Sequence, residues 1–197
     1  MTTVTYRSPA ADGAAKPPSG ESRYQLVVAL ANRLGQHRTI ARPRRRTIVD
    51  GTTLYVDQED ASAVLEPMAN ALGDRLRVSG VTAFVCAEDL LADKIADRTG
   101  MAATASHAPG LVSGHPRDVV LVFGVVDNCR QVSNALAECP KRGLRVTSVL
   151  AGLDQSAAAR SYLDGPGISF DVLVGPEELG LVPLAEPPQV VAGLSPF

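Results

Sequence analysis

The apolar positions between residues 118 and 155 change from a continuous run to a helical spacing and back again. Residues 119–123 are apolar throughout, which predicts a buried strand, and residues 129–142 have the spacing of a helix. A second apolar run at residues 144–151 predicts another strand. Two strands joined by such a helix lie parallel, and the turn after the first one faces the ligand. The pattern places that turn at residues 124–128.

The same reasoning predicts the elements on either side of this unit. Helices are predicted over residues 21–35, 61–72, 88–99 and 155–163, with a short one from Pro176, and strands over residues 77–84, 101–105 and 168–174. Residues 47–57 predict two short strands around a turn. Residues 1–20 predict a flexible N-terminal arm, and residues 21–197 a single domain. The expected fold class is α/β: a central, mostly parallel sheet of about five strands flanked by helices, with a small N-terminal hood.

Charge and cysteine content exclude several classes of protein. A net charge of −2 predicts no general attraction to nucleic acid or to a membrane, and no apolar run approaches the ~18 residues that span a bilayer. The N-terminus lacks a signal pattern, so we expect a cytoplasmic protein. Cys86, Cys129 and Cys139 match neither a disulfide framework nor a zinc site, and we expect no metal and no cofactor. The basic run at residues 42–46 is either a solvated loop or a contact for phosphate or an acidic partner.

Four segments together resemble the type I phosphoribosyltransferases, and within them the orotate phosphoribosyltransferases. They are the Leu-Tyr-Val-Asp of residues 54–57, the helix–glycine–strand junction at Gly100, the Gly-centred turn of residues 142–146, and the strand of residues 149–155. The resemblance covers residues 21–181. It implies the phosphoribosyltransferase fold, a homodimer and a small-molecule ligand.

The turn after the third core strand departs from the family pattern. In the family, two acids there hold the ribose hydroxyls, and a Thr- and Gly-rich loop surrounds the 5′-phosphate. Here Phe123 and Gly124 stand at the positions of the acids, and residues 127–131 (Asp-Asn-Cys-Arg-Gln) replace the loop. Glycine lets the backbone approach an anion closely, which Cys129 and Arg130 do not allow in the same way. Phe123 is expected to give a more apolar pocket floor.

Two further loops depart from the family pattern as well. The family has a Gly-containing pyrophosphate loop after the first core strand, whereas this chain has Val-Cys-Ala-Glu at residues 85–88, followed by Asp89. Two carboxylates repel a multiply charged ligand unless a metal intervenes. The family's flexible loop carries lysines, whereas residues 107–117 contain His107 and His115 but no lysine. These losses predict that ordinary transfer from phosphoribosyl pyrophosphate (PRPP) is gone or follows a changed mechanism.

The candidate site residues lie in the turn after the third core strand and in the loop after the first core strand. The candidate catalytic residues are Cys129, Asp127 and Glu88, and the candidate ligand-binding residues are Cys86, Asp89, Phe123, Asn128, Arg130 and Gln131. Cys129, at a helix start, is a candidate nucleophile, with a small turn-filling residue as the alternative. Glu88 and Asp89 act as a general base or bind a metal, or else they cap a helix. Asp127 and Asn128 bind ligand hydroxyls, or else they shape the turn.

Three hypotheses follow from these departures. In the first, the chain kept the phosphoribosyltransferase fold and was repurposed to bind or transform a small, less phosphorylated molecule, in a bacterial specialised-metabolite pathway. In the second, it is a non-catalytic regulatory or partner subunit. In the third, it is an active phosphoribosyltransferase with unusual loops.

Overall fold

The structure, a computed structural model, describes residues 20–40, 61–105, 117–155, 159, 163 and 167–180. Five parallel strands form one sheet in the order β2-β1-β3-β4-β5. The strands are β1 (Ala83–Cys86), β2 (Ala102–Ala105), β3 (Asp118–Val126), β4 (Arg145–Asp154) and β5 (Ser169–Val174). The helices are α1 (Gly20–Ile40), α2 (Ala61–Ser79), α3 (Asp89–Thr99) and α4 (Cys129–Lys141), with a 3₁₀ turn at Pro176–Leu179. The predicted fold class, a parallel five-stranded sheet flanked by helices, is confirmed.

Helices cover both faces of this sheet. Leu26 of α1, Met68 of α2 and Leu91 of α3 are fully buried in one apolar cluster. Val132 of α4 is fully buried in a second cluster, together with Phe123 of β3. Coverage of both faces explains why β3 is a continuous apolar run without alternating polar positions.

The predicted strand over residues 77–84 is wrong for residues 77–82. Helix α2 continues to Ser79, and β1 begins only at Ala83. Leu72 and Leu76 are both fully buried one turn apart, so the apolar face of the helix extends past the predicted end at residue 72. Gly80, with a φ of 71°, follows the helix in the left-handed conformation that commonly ends one.

The predicted stop at Gly35 is also wrong, because α1 runs through this residue to Ile40. A glycine ends a helix when it adopts a positive φ, as Gly100 does after α3 with a φ of 70°. Gly35 does not belong to the glycines with positive φ. A glycine inside a helix weakens it by only ~1 kcal/mol relative to alanine.

The predicted turn at residues 124–128 is too long. Gly124, Val125 and Val126 are buried and belong to β3, and Val126 still pairs with Asp154 of β4. Only Asp127 and Asn128 separate the strand from α4. The long partner strand keeps β3 in the sheet for three residues beyond the predicted end.

Several predictions lie outside the described residues. They are the arm apart from Gly20, the basic run, the short strands of residues 47–57 and the loop up to residue 116. Of the predicted helix 155–163, the structure describes Ala159 and Leu163 as helical and buried, whereas Gln155 is not helical. No helix among the described residues is both long enough and apolar enough to cross a bilayer.

Candidate functional site

The sheet reverses its winding direction between β1 and β3. The chain leaves β1 through α3 to reach β2 on one side, and β3 then pairs with the other side of β1. In open parallel sheets, a ligand crevice forms beyond the carboxyl ends of the strands at such a switch point. The candidate site is therefore the crevice beyond Cys86, the last residue of β1, and beside residues 123–126 of β3, which continue past the last β1 pair.

The side chain of Glu88 occupies this crevice. Its Oε1 and Oε2 atoms accept a hydrogen bond from the backbone N–H of Gly124, at 3.2 and 3.3 Å. The last backbone bond between the two segments runs from the N–H of Ala87 to the carbonyl of Val122, at 3.3 Å. The carboxylate thus takes the place of the next strand carbonyl, which β1 no longer provides.

Burial of the Glu88 carboxyl group raises its pKa above the usual value, and hydrogen bonds from Cys86 and Gly124 oppose this rise. The Sγ of Cys86 donates to Oε2 of Glu88 at 3.4 Å. Burial and, after it, the charge of Glu88 raise the pKa of the Cys86 thiol well above its usual value. Cys86 therefore remains a neutral thiol near neutral pH.

Glu88 stands at the N-cap position of α3, but its side chain makes no capping hydrogen bond. Of the two interpretations that the sequence left open for this residue, helix capping by the side chain is wrong. The carboxylate bonds instead to a strand 36 residues further along the chain.

The turn after β3 uses its polar side chains on its own backbone. Asn128 caps α4, because its Oδ1 accepts from the N–H of Gln131 at 3.0 Å. Gln131 reaches back into the turn: its Oε1 accepts from the N–H of Asp127, and its Nε2 donates to the carbonyl of Val125, both at 3.2 Å. These bonds fix the start of the helix. The residues that make them stand at the positions of the family's phosphate loop.

Gln155, at the end of β4, is a residue that the sequence reading did not select for the site. It is 5% exposed, and its Nε2 donates to Oδ1 of Asp127 at 3.2 Å. Its backbone N–H donates to the carbonyl of Val126 at 2.8 Å. The signal for it was a polar residue directly after the second strand of the central unit, where parallel strands present side chains to the same edge.

Solved structures of phosphoribosyltransferases share the fold of this chain. Orotate phosphoribosyltransferase from Aeropyrum pernix is 16% identical, with a TM-score of 0.57, over 78% of this chain and 96% of that chain. The enzyme of Mycobacterium tuberculosis in complex with PRPP is also 16% identical, with a TM-score of 0.59, over 82% of this chain and 93% of that one. Leishmania donovani UMP synthase has the same identity and a TM-score of 0.59, and the match covers 78% of this chain but only 36% of that longer one.

The chain has the type I phosphoribosyltransferase fold. The likeness is one of structure, since the identities are low. No protein-family model matches the chain, and no curated protein sequence matches it.

On this phosphoribosyltransferase-type sheet, the predicted site residues fall into three groups. Glu88, Asp127 and Asn128 lie in the turns at the carboxyl ends of β1 and β3, and Gln131 lies in the first turn of α4. Asp89 and Arg130 are exposed, and Cys129 is partly exposed, at the first turns of α3 and α4. Cys86 and Phe123 are fully buried, in the apolar clusters on opposite faces of the sheet. Ligand binding by these residues stays a prediction.

The described residues contain no group of three or more His, Cys, Asp and Glu side chains placed to hold a metal ion. The carboxylates of the two turns face different partners: Glu88 faces the backbone of β3, and Asp127 faces Gln155.

A close backbone approach lies beside the crevice, between β3 and β4. A Cβ atom added to Gly152 would lie 2.8 Å from the carbonyl oxygen of Gly124 and would collide with the sulfur of Met68. The side chain of Met68 therefore packs directly on the backbone of β4. The glycine at position 152 is required by this contact, because no side chain fits there.

Proposed function

We propose that this phosphoribosyltransferase-fold protein has been repurposed to bind, and to transform, a small molecule that is less phosphorylated than PRPP. The observation that carries the proposal is the carboxylate of Glu88 on the N–H of Gly124, at the switch point of the sheet. Whether charged or protonated, this group occupies the acceptor position that a ligand anion would need at that backbone N–H.

Electrostatics support the same conclusion. Two like unit charges 4 Å apart repel by about 4 kcal/mol at an effective dielectric constant of 20. A single hydrogen bond contributes only about 1 kcal/mol net. A diphosphate beside an ionised Glu88 would therefore lose more from one repulsion than it gains from one backbone N–H.

The rim of the crevice favours ligands that donate hydrogen bonds, such as hydroxyl compounds or amines. Asp127 directly follows β3 and Asp154 ends β4, both as partly buried residues, and Asp89 adds an exposed carboxylate. In this proposal, Cys129 is the nucleophile, and Asp127 and Glu88 are the acid–base groups. We further propose a homodimer and a role in a specialised-metabolite pathway.

The melting temperature with PRPP and Mg²⁺ tests this proposal. A ligand present at 100 times its Kd stabilises a protein by about 2.7 kcal/mol, which is roughly 5–11 °C for a chain of this size. We expect no rise with millimolar PRPP, while the M. tuberculosis enzyme, which has been solved with PRPP, serves as the positive control. A saturable rise would overturn the proposal and favour an active phosphoribosyltransferase with unusual loops.

A second candidate function is a non-catalytic regulatory or partner subunit. The hydrogen bonds of Asn128, Gln131 and Gln155 favour it, because they engage the polar groups of the turn with the protein itself. The variants Cys129→Ser and Asp127→Asn separate the two functions in cells of the source organism. Loss of a pathway product supports the enzyme, and an unchanged product profile with both variants supports the subunit.

A further inference from the structure

A pocket lies between α1 and α2, apart from the crevice of the candidate site. Its volume is about 390 Å³, within the range of ~300–1,000 Å³ that is typical of small-molecule sites. The described residues that line it are Tyr24, Gln25, Val28, Ala29, Asn32, Arg33, Ala63 and Val64. None of them belongs to the candidate site.

The two helices that form the walls are fixed relative to each other. Leu26 and Leu30 of α1 are fully buried in the same apolar cluster as Met68 and Leu72 of α2. At the start of α1, the Oγ of Ser22 donates to Oδ2 of Asp74 on α2 at 2.6 Å. The pocket is therefore formed before any ligand arrives, which lowers the cost of binding.

The polar part of the pocket contains a buried arginine. Arg33 is only 7% exposed and is the one charged side chain among the described lining residues. A guanidinium group has five N–H donors in a fixed plane, so it can hold a protein acceptor and a ligand carboxylate at the same time. The exposed side-chain amides of Gln25 and Asn32 add donors near the entrance.

The remaining walls are apolar. Tyr24 is 68% exposed and Val28 is 40% exposed, which is unusual for large apolar side chains. Together with Ala29, Ala63 and Val64 they offer a surface for an apolar ligand body, and the ring of Tyr24 offers a face for an aromatic one. One buried cation suits a monoanion better than a phosphate dianion.

We propose that this pocket binds a small monocarboxylic acid with an aromatic or branched apolar body. The carboxylate pairs with Arg33, and the body packs between Tyr24, Val28 and Ala63. The site is independent of the proposed function, since it shares no residue with the crevice between β1 and β3.

Titration calorimetry with benzoate as the probe tests the proposal, with neutral benzamide as the charge control. Ala63→Phe fills the pocket from an exposed wall, and Ala31→Phe adds the same side chain at an exposed position of α1 outside the pocket. We expect saturable benzoate binding that falls at least about tenfold in Ala63→Phe and in Arg33→Gln, and stays in Ala31→Phe. Benzamide should bind at least about tenfold more weakly than benzoate.

Three results would overturn the proposal: no saturable benzoate binding to the unmodified chain, undiminished binding to Ala63→Phe, or equal binding of benzamide. If Arg33→Gln does not fold, the Ala63→Phe and benzamide comparisons still decide the outcome. Absence of benzoate binding would not affect the function proposed for the crevice, and a response to PRPP would not test this pocket.

Discussion

The turn after β1 and the turn after β3 reach the same crevice, but they use their polar side chains in opposite ways. Glu88, after β1, crosses to the backbone of the neighbouring strand and bonds to the N–H of Gly124. Asn128 and Gln131, after β3, bond within their own turn. The side chain of Glu88 therefore links the first turn to β3, whereas Asn128 and Gln131 fix the start of α4.

Under the proposed function, this difference assigns the change in ligand to one side chain. The resemblance to phosphoribosyltransferases places two anion-binding loops at this edge of the sheet. In the proposed function, the carboxylate of Glu88 stands where an anion would bind, and burial raises the pKa of that group. Changes at Glu88 should thus alter the crevice, and changes at Asn128 should alter mainly helix stability.

The largest effect is expected at the β3–β4 contact that supports both turns. Gly152→Ala would push against Met68 and against the carbonyl of Gly124, and we expect it to cost about 3 kcal/mol by overpacking. For a chain of this size, this is a fall in Tm of roughly 6–12 °C. Gly20→Ala is the matched control, because an added Cβ meets nothing within 4 Å there. Equal melting temperatures for the two variants would contradict the close approach.

The next effect separates the hydrogen bond of Glu88 from its charge. Glu88→Gln keeps an acceptor for the N–H of Gly124, whereas Glu88→Leu keeps the bulk and removes the acceptor. A buried donor without a partner costs about 1–3 kcal/mol. Urea unfolding should therefore find the Leu variant less stable than the Gln variant by that amount. If the two unfold at the same urea concentration, the carboxylate is not a structural link between β1 and β3.

A smaller effect is expected at the turn after β3. Asn128→Ala removes the cap that accepts from the N–H of Gln131, which should cost about 1 kcal/mol. Asn128→Ser restores a capping oxygen and should recover most of the stability. Thermal unfolding of the two variants checks this. A loss as large as that of Gly152→Ala would mean that Asn128 supports more than the helix start.

The smallest effect is a pH dependence. The pKa of Glu88 is raised in the folded chain, so the folded state keeps this proton to higher pH than the unfolded state. Its contribution is favourable in acid and declines as the pH rises from the ordinary glutamate range through the raised pKa. The Tm of Glu88→Gln minus that of the unmodified chain should therefore be near zero in acid and positive at neutral pH. A difference that shrinks with rising pH would show that the charged form is favoured by folding.

The central unit of the fold was predictable because its signals are local. The apolar run of β3 and the helical spacing of α4 lie within the segments themselves, and burial on both faces preserves them. The ends of elements were less predictable. Whether α2 continued past residue 72 depended on which surface its later residues contact, and Leu76 proved to be in the core.

The site was only half predictable for a related reason. Sequence spacing brought out Glu88 and Asp127 as polar residues that follow strands, but it could not supply their partners. The bond from Glu88 to Gly124 depends on the register of β1 against β3, and the bond from Gln155 to Asp127 depends on that of β4 against β3. Burial was also not visible in the sequence. Cys86 was a candidate because of its thiol and Phe123 because of its bulk, but each is enclosed in a core cluster.

A crystal soaked with PRPP and Mg²⁺ tests the central claim most directly, through the distance from the Glu88 carboxylate to the N–H of Gly124. We predict that this distance stays within hydrogen-bonding range and that no diphosphate density appears in the crevice. A diphosphate on the N–H of Gly124, with the side chain of Glu88 displaced, would contradict the account.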